Sequence, residues 1–338
     1  SKFIGYLNST TGNVEFSTNF SNGASASNTV FDSSGNTYVW GQFYGSLSMG
    51  GTTILTDNRS CTNNPNSAYI LKLNSSNQLE WARIIQGNKD GGSQCSSTWI
   101  HNPTLDDDEN LIVSGNFYGK IALGNTTLNP RNSQCCSDMF FAKLSPNGVW
   151  TWAMSMGGDR NDGGGVRYTG MTSDRIPFYM STGQCSAVCW MLIGNTNYTV
   201  PISHNSSTFI GSLNATTGNV EFSTNFNDAT TAQNTVFDSS GNTYVWGQFY
   251  RSLTMGGTTI LTDNRSCPSA TQSAYILKLN SSNQVVWART IQGSVYGSGL
   301  CSNTWIHEPV LDGDENLIVS GNFYGNITLG NTTLNPRN

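Results

Sequence analysis

The sequence predicts an all-β protein, a five-bladed β-propeller whose blades are antiparallel four-stranded sheets of about 65–71 residues with an extra hairpin each. Two observations predict this fold. Residues 1–132 return almost unchanged as residues 207–338, and internal repetition is typical of repeat architectures. Short runs of β-branched and aromatic residues alternate with Gly, Asn, Asp and Pro turns, and no segment shows amphipathic helical spacing.

A shorter period lies beneath the large duplication. An anchoring leucine recurs at intervals of 66, 71, 69 and 66 residues, at Leu7, Leu73, Leu144, Leu213 and Leu279. The chain therefore holds five units in the order A, B, C, A′, B′, within one predicted domain spanning 1–338. Their boundaries are 1–67, 68–138, 139–207, 208–273 and 274–338.

Each unit has the same internal order of elements. An apolar strand, a turn such as 74–77 and a strand with an aromatic anchor form the first hairpin. A second hairpin follows a polar loop, as at 29–41 and 104–115, and a short extra hairpin with glycines at its turn follows, as at 46–55. A β-solenoid is the rival fold, but solenoid coils are shorter and lack such hairpins.

The aromatic residue that ends the second hairpin is expected to pack between blades. It occurs at Phe43, Phe117, Phe249 and Phe323. If a blade is the second hairpin plus the following first hairpin, residues 3–20 complete the blade begun by 305–334. Within one chain this closes a ring and removes exposed strand edges, whereas between chains it links subunits head to tail. The sequence leaves both arrangements open.

The composition favours a protein outside the cell. Only 11% of residues are charged and the net charge is −5, against an average charged share of about 25%. Without a basic patch, electrostatic capture of nucleic acid is not expected. No apolar run approaches the 18 or more residues of a membrane span.

The cysteines predict disulfide bonds and an oxidising compartment. Cys61 and Cys95 lie 34 residues apart, and so do their copies Cys267 and Cys301. A bridge over that interval would stabilise the fold by roughly 3–4 kcal/mol. The other four cysteines lie in the unduplicated middle, at Cys135, Cys136, Cys185 and Cys189, and their pairing is left open. No CxxC pair exists, and the histidines are not at ligand spacing from any thiol, so no metal is expected.

Asn-x-Ser/Thr sequons also favour secretion. An Asn-rich and Ser-rich chain produces some by chance, yet several recur in both copies at predicted turns. The candidates are Asn8, Asn19, Asn58, Asn74, Asn125, Asn197, Asn205, Asn214, Asn264, Asn280, Asn326 and Asn331.

No catalytic set is recognisable, so neither an enzyme nor a cofactor is expected. His101 and His307 lie in copies of Trp-Ile-His with no nucleophile motif, and a structural role is the simpler interpretation. The acidic turns 106–110 and 312–316 could recruit calcium through several oxygens. A tight hairpin turn that favours Asp and Asn explains them equally well.

Carbohydrate binding is the alternative function. Propellers can form shallow pockets between blades, where Trp40, Trp99, Trp246 and Trp305 could stack on sugar rings. Amide side chains at Gln42, Asn116, Gln248 and Asn322 could supply hydrogen bonds. Core packing explains the same tryptophans equally well.

Two segments resemble the β-propeller repeats of large microbial cell-surface and secreted proteins, which are of the seven-bladed-propeller type. Residues 138–158 are similar to the "fvaKld-sG-w-W-gg" half of that repeat, and residues 31–41 to the "vD-sGN-YvtG" half. All five units match. Unit C departs from the pattern at 174–178, where the Gly-Asn turn is missing, and Cys185 stands where unit A has an aromatic residue. The resemblance implies propeller blades, secretion and surface or adhesive roles, and it implies no catalytic residue.

The expected function is therefore that of a secreted structural or adhesive protein. Self-association into a homopolymer by strand or blade complementation is the expected interaction, with glycans as further candidate partners. A carbohydrate-binding lectin is the first alternative and an enzyme the second.

Overall fold

The computed structural model contains β-strands and no helix among the residues it describes, so the all-β prediction is confirmed. No helix in the described part of the chain could cross a membrane. The chain divides into two compact units, Ser1–Gly163 and Gly164–Asn338. The described residues are 2–21, 23–60, 65–87, 95–101, 103–131, 136–160, 162–163, 174–183, 189–200, 207–226, 230–265, 271–296 and 300–336.

The first compact unit is built from short antiparallel strands. They are β1 Phe3–Leu7, β2 Val14–Asn19, β3 Ser25–Phe31, β4 Thr37–Phe43, β5 Ser46–Met49, β6 Thr52–Thr56, β7 Ser67–Leu73, β8 Leu79–Ile85, β9 Thr98–Ile100, β10 Thr104–Leu105, β11 Leu111–Phe117, β12 Ile121–Leu123, β13 Thr126–Leu128, β14 Asp138–Leu144, β15 Trp150–Gly158 and β16 Asp162–Gly163.

Two larger sheets of this unit share one plan. The first has the order β3-β4-β7-β8, and in the second β9 and β10 both pair with β11, which is followed by β14 and β15. The hairpins β5–β6 and β12–β13 are inserted between the second and third positions. The hairpin β1–β2 is a two-stranded sheet.

The second compact unit has the same arrangement of sheets and inserted hairpins. Its strands are β17 Arg175–Thr182, β18 Cys189–Ile193, β19 Thr196–Val200, β20 Thr208–Asn214, β21 Val220–Asn225, β22 Thr231–Phe237, β23 Thr243–Phe249, β24 Ser252–Met255, β25 Thr258–Thr262, β26 Ser273–Leu279, β27 Val285–Ile291, β28 Val295–Tyr296, β29 Leu300–Cys301, β30 Thr304–Ile306, β31 Val310–Leu311, β32 Leu317–Ile318, β33 Gly321–Phe323, β34 Ile327–Leu329 and β35 Thr332–Leu334.

Its sheets run β17-β20-β21 and β22-β23-β26-β27, with hairpins β18–β19 and β24–β25 inserted at the equivalent places. Strand β17 passes through the segment that departs from the repeat pattern and pairs with β20 along its length. The last part of the unit holds the two-stranded pairings β30–β33, β31–β32 and β34–β35.

Sheets and sequence repeats are out of phase. The sheet β3-β4-β7-β8 takes two strands from the first repeat and two from the second, because the boundary 67/68 falls at its third strand. Each such sheet is therefore shared by two neighbouring repeats, and neither repeat forms the sheet alone.

The hydrophobic core lies on the faces of these sheets. Phe43, Phe117 and Phe249 are fully buried, as the sequence predicts. Their counterpart Phe323 is only half-buried. Aromatic side chains meet edge to face in these clusters, as between Phe43 and Tyr69 at 6.1 Å, a geometry that adds to the stabilisation from buried area.

Candidate functional site

The hairpin β1–β2 presents an apolar face to solvent. Phe3 is 79% exposed and Leu7 65%, whereas Ile4, on the opposite face of the strand, packs in a buried cluster with residues of the first large sheet. In the repeated copy of this hairpin, β20 pairs with β17, and its residues Phe209 and Leu213 are 1% and 0% exposed. Nearly the same strand is thus buried in one place and bare in the other.

A second contrast involves identical sequences. The residues Leu-Ile-Val-Ser-Gly-Asn-Phe occur at 111–117 and again at 317–323. The first copy is β11, whose residues are nearly all buried and which β14 covers along one edge. In the second copy Ile318 is 54% exposed and Val319 38%. Within the described residues, no strand pairs with the corresponding edge of 317–323.

A glycine–aromatic pair sets the register between the second and third strands of the larger sheets. Gly41 lies opposite Tyr69, and Gly115 lies opposite Phe140. A Cβ on Gly115 would lie 2.6 Å from the Phe140 ring, so the missing side chain makes room for the aromatic residue. The same pairing joins Gly247 to Tyr275. Sequence reasoning missed this pair, although the recurring Gly-x-Phe at the end of the second hairpin signals it.

An apolar cavity of about 520 Å³ lies beside 317–323. Its lining includes the side chains of Val319, Phe323, Ile327, Leu329 and Leu334. In the first compact unit the copies of these residues form a closed core with three side chains of β14, namely Phe140, Ala142 and Leu144. The cavity therefore occupies the space that a third strand fills in the other copy.

A second, larger cavity of about 910 Å³ is lined by Trp305, His307, Asn322 and Tyr324 among others. The Trp305 and Tyr324 rings meet edge to face with centroids 5.8 Å apart. The cluster recurs in the first unit, where Trp99 and Tyr118 lie 5.7 Å apart.

The histidine of this cluster is half-buried in the first unit. The Nε2 atom of His101 lies 2.6 Å from Oδ1 of Asn116. Burial lowers the pKa of His101 and outweighs the opposite effect of the Asn116 hydrogen bond. The neutral imidazole is therefore favoured, in keeping with a structural role.

Two of the four predicted sugar-stacking tryptophans are not accessible. Trp40 is 2% exposed and Trp246 1%, and both belong to hydrophobic clusters, although an edge of Trp246 borders the cavity of about 910 Å³. The prediction that these two stack on sugar rings does not fit this burial, and core packing accounts for them. The amides beside them, Gln42 and Gln248, donate to the backbone carbonyls of Thr98 in β9 and Thr304 in β30, at 2.9 Å each. Trp99 and Trp305 remain candidates.

The acidic turns use their first carboxylate to hold the turn. Asp106 accepts hydrogen bonds from the backbone amides of Asp108 and Asn110, and its Oδ2 lies 2.7 Å from the ammonium of Lys143. Asp32 holds the equivalent turn in the first large sheet. Burial alone would raise the pKa of Asp32, but hydrogen bonds from Asn36 and the charge of Lys72 outweigh burial, so the pKa is lowered. Within the described residues no three His, Cys, Asp or Glu side chains are grouped as a metal site needs.

An arginine clamp, which sequence reasoning also missed, ties the loop after β6 to two distant segments. Arg59 Nη1 donates to the carbonyls of Gly87 at 2.6 Å and Ser96 at 2.8 Å. Its Nη2 donates to Asp57 and to Ser67 Oγ, both at 2.7 Å. Burial raises the pKa of Asp57, but these hydrogen bonds hold it below its ordinary value. The copy uses Arg265 with Asp263, Ser273, Gly293 and Ser302.

Four of the predicted disulfide cysteines are described, and each is disulfide-bonded: Cys95, Cys136, Cys189 and Cys301. Cys61, Cys135, Cys185 and Cys267 lie outside the described residues. The pairing of Cys61 with Cys95 and of Cys267 with Cys301 therefore stays a prediction.

The sequons lie mainly on turns and exposed strands. Asn19, Asn58, Asn125, Asn197, Asn264, Asn326 and Asn331 are exposed, and Asn8, Asn74, Asn214 and Asn280 are partly exposed in hairpin turns. Asn205 lies outside the described residues. Such positions leave room for a glycan on the amide nitrogen.

No protein-family model and no curated protein matches the chain. A crystal structure of a protein of unknown function from Bacteroides caccae is weakly similar, with 10% identity and a TM-score of 0.22 over 85% of this chain and 89% of that one. A TM-score at this level carries no argument about fold or function. The resemblance to the repeats of microbial cell-surface proteins stays a prediction.

Proposed function

We propose that this chain is a secreted, disulfide-stabilised and glycosylated β-propeller protein with a structural or adhesive role, and that it associates with further copies of itself by strand pairing. The antiparallel sheets support the propeller part of the proposal. Sheets β3-β4-β7-β8 and β22-β23-β26-β27 each place four antiparallel strands in chain order, with one hairpin inserted between the second and third strands, as expected of propeller blades with an extra hairpin.

The observation that carries self-association is the contrast between the identical segments 111–117 and 317–323. The first is covered by β14, and the second exposes Ile318 and Val319 together with a strand edge that is unpaired within the described residues. Unpaired edges next to apolar side chains are templates for pairing with another strand. Strand β1 also exposes apolar side chains, since Phe3 is 79% exposed and Leu7 65%.

The test is the assembly state of the unmodified chain expressed through a secretory pathway. Light scattering and negative-stain electron microscopy over a range of concentrations should reveal oligomers that grow with concentration or form filaments. A chain that stays monomeric at the highest soluble concentration would contradict the proposal.

Carbohydrate binding is a second candidate function. It is favoured by the cavity of about 910 Å³ in which Trp305 and Tyr324 lie beside Asn322, since aromatic faces and amide groups are what pyranose recognition needs. A glycan array should show binding that Trp305→Ala removes and Trp190→Ala retains. Trp190 is a matched control because it is 36% exposed and lies outside this cavity. Equal binding by both variants would exclude this site.

A further inference from the structure

We infer that the chain carries two equivalent sugar-binding sites, one around Trp305 and another around Trp99, and that both bind uncharged hexopyranose rings. This inference rests on the carbohydrate binding proposed as the second candidate function, and it adds a further site and a class of ligand. The two sites are copies of one aromatic cluster, and each lies within one compact unit.

The first cluster is built on the pairing of β9 with β11. Trp99 lies directly opposite Asn116. The Trp99 ring meets the Tyr118 ring edge to face at 5.7 Å, and Asn116 Oδ1 lies 2.6 Å from Nε2 of His101. The next residue of β11, Phe117, points the other way into the hydrophobic core, as alternation along a strand requires. The four polar and aromatic side chains therefore share the face that points away from this core.

The second unit repeats this geometry with identical residues. Trp305 of β30 lies directly opposite Asn322 of β33. The ring centroids of Trp305 and Tyr324 are 5.8 Å apart, and the angle between the ring planes is 78°, against 70° in the first cluster. A ligand that fits one cluster therefore meets the same groups in the other.

The neighbouring sheet is attached to both clusters in the same way. Gln42 donates to the carbonyl of Thr98, and Gln248 donates to the carbonyl of Thr304, at 2.9 Å each. Each acceptor is the residue directly before the tryptophan of its cluster. The cavity of about 910 Å³ lies between the second cluster and the sheet that contains Gln248. The matching attachment places the equivalent sheet beside the first cluster.

The first cluster is accessible although the third and fourth strands of its sheet are present. In that sheet β11 is followed by β14 and β15. Trp99 is nevertheless 36% exposed, and Asn116 and Tyr118 are half-buried. Accessible aromatic side chains beside a few polar groups are what small-molecule sites present. The exposure of this cluster is thus a property of its position on the sheet.

The chemistry of the clusters favours an uncharged sugar. Aromatic faces suit the C–H groups of a pyranose ring, and amide and imidazole groups exchange hydrogen bonds with its hydroxyls. The segments that contain the two clusters, 95–118 and 301–324, include no lysine or arginine. The cavity lining of the second cluster includes Glu308, whose carboxylate repels an acidic sugar. At the position equivalent to Glu308 the first copy has Asn102, which lies outside the described residues.

The chain itself supplies matched substitutions that remove the stacking ring. The tryptophan position is occupied by Ser25 in the sheet β3-β4-β7-β8 and by Thr231 in the sheet β22-β23-β26-β27. Trp99→Ser and Trp305→Thr therefore install residues that related sheets already carry at this place. We expect both variants to fold, with circular dichroism unchanged.

The test follows the tryptophan indole N–H resonances of the isotopically labelled chain by NMR. The probes are the methyl glycosides of glucose, galactose, mannose and N-acetylglucosamine. At least one of them should shift both the Trp99 and the Trp305 resonance, and N-acetylneuraminic acid should bind about tenfold more weakly or worse. The Trp305 response should persist in Trp99→Ser, and the Trp99 response in Trp305→Thr. Trp190→Ala is the control and should leave both responses unchanged, because Trp190 belongs to neither cluster.

The double variant Trp99→Ser with Trp305→Thr completes the series. Saturation transfer from protein to sugar should be retained in each single variant and lost in the double variant. A response confined to one of the two tryptophans would overturn the pair of sites and leave carbohydrate binding at the responding one. Equal or tighter binding of N-acetylneuraminic acid would overturn the uncharged class of ligand. Transfer that survives in the double variant, or no binding of these probes to the unmodified chain, would overturn the inference and the carbohydrate-binding function together.

Discussion

Phe140 packs against Gly115 directly across the pairing of β11 with β14, where a Cβ on the glycine would lie 2.6 Å from the phenylalanine ring. Phe140 is completely buried. The side chain therefore both fixes the register and fills the core of the first compact unit.

Truncation of this ring should be costly, while truncation of its exposed counterpart should not. We expect Phe140→Ala to lower the free energy of unfolding by about 3–5 kcal/mol, since it opens a cavity in a packed core. Phe3→Ala should change it by less than about 0.5 kcal/mol at dilute concentration, because Phe3 is 79% exposed. Chemical denaturation followed by fluorescence measures both. Equal losses would show that Phe3 is buried within the monomer.

The arginine clamp should depend on guanidinium geometry and not on charge alone. Arg59→Lys keeps the charge but loses the fork that reaches Asp57 and the carbonyls of Gly87 and Ser96. We expect a loss of about 1–3 kcal/mol in the free energy of unfolding. Arg265→Lys should cost a similar amount in the copy. If Arg59→Lys unfolds like the unmodified chain, the clamp contributes nothing to stability.

Asp138 should make the first unit less stable as the pH rises. Burial raises the pKa of this carboxyl to about 6, although hydrogen bonds and the charge of Arg131 oppose the shift. Between the unfolded value of about 3.9 and the folded value, the native state holds a proton that the unfolded state has released. Stability from this group is thus complete below the unfolded pKa and is lost as the pH rises through 6.

Asp138→Asn removes this titration. The free energy of unfolding of the variant, relative to the unmodified chain, should increase between pH 4 and pH 6.5 by about 2–3 kcal/mol. Asp57→Asn is a control of opposite sign, because the pKa of Asp57 is lowered and its stabilising effect is present above its unfolded pKa. Urea denaturation at several pH values measures both. A pH-independent difference for Asp138→Asn would contradict the prediction.

The disulfides should pair within each copy of the large duplication, between two neighbouring repeats. Peptide mapping without reduction should link Cys61 to Cys95 and Cys267 to Cys301, and each bridge should stabilise the fold by about 3–4 kcal/mol. Cys95→Ser and Cys61→Ser should then lower the melting temperature equally, and the double variant no further. Unequal effects, or peptides that join the two copies, would rule out this pairing.

The sequence predicts the repeated elements well because the determinants are local. The hairpin turns at Asp32 and Asp106 are predictable because aspartate favours turns, and in the structure both carboxylates accept hydrogen bonds from backbone amides of the turn. The burial of Phe43 follows from its place at the end of an apolar strand.

The candidate sites are less predictable because they depend on what lies beside a strand. The residues 111–117 and 317–323 are identical, yet one is core and the other is exposed, so no local pattern could separate them. Trp40 and Trp99 are both strand residues, but only Trp99 keeps an accessible face. Arg59 reaches carbonyls 28 and 37 residues away, beyond any local signal.

The offset between sheets and sequence repeats has a consequence for how such a chain can change length. Three of the larger sheets join the second hairpin of one repeat to the first hairpin of the next through the same leucine and glycine–aromatic positions. Recombination that adds or removes whole repeats would therefore recreate a compatible junction each time. The gene could lengthen or shorten its product without having to evolve a new contact surface.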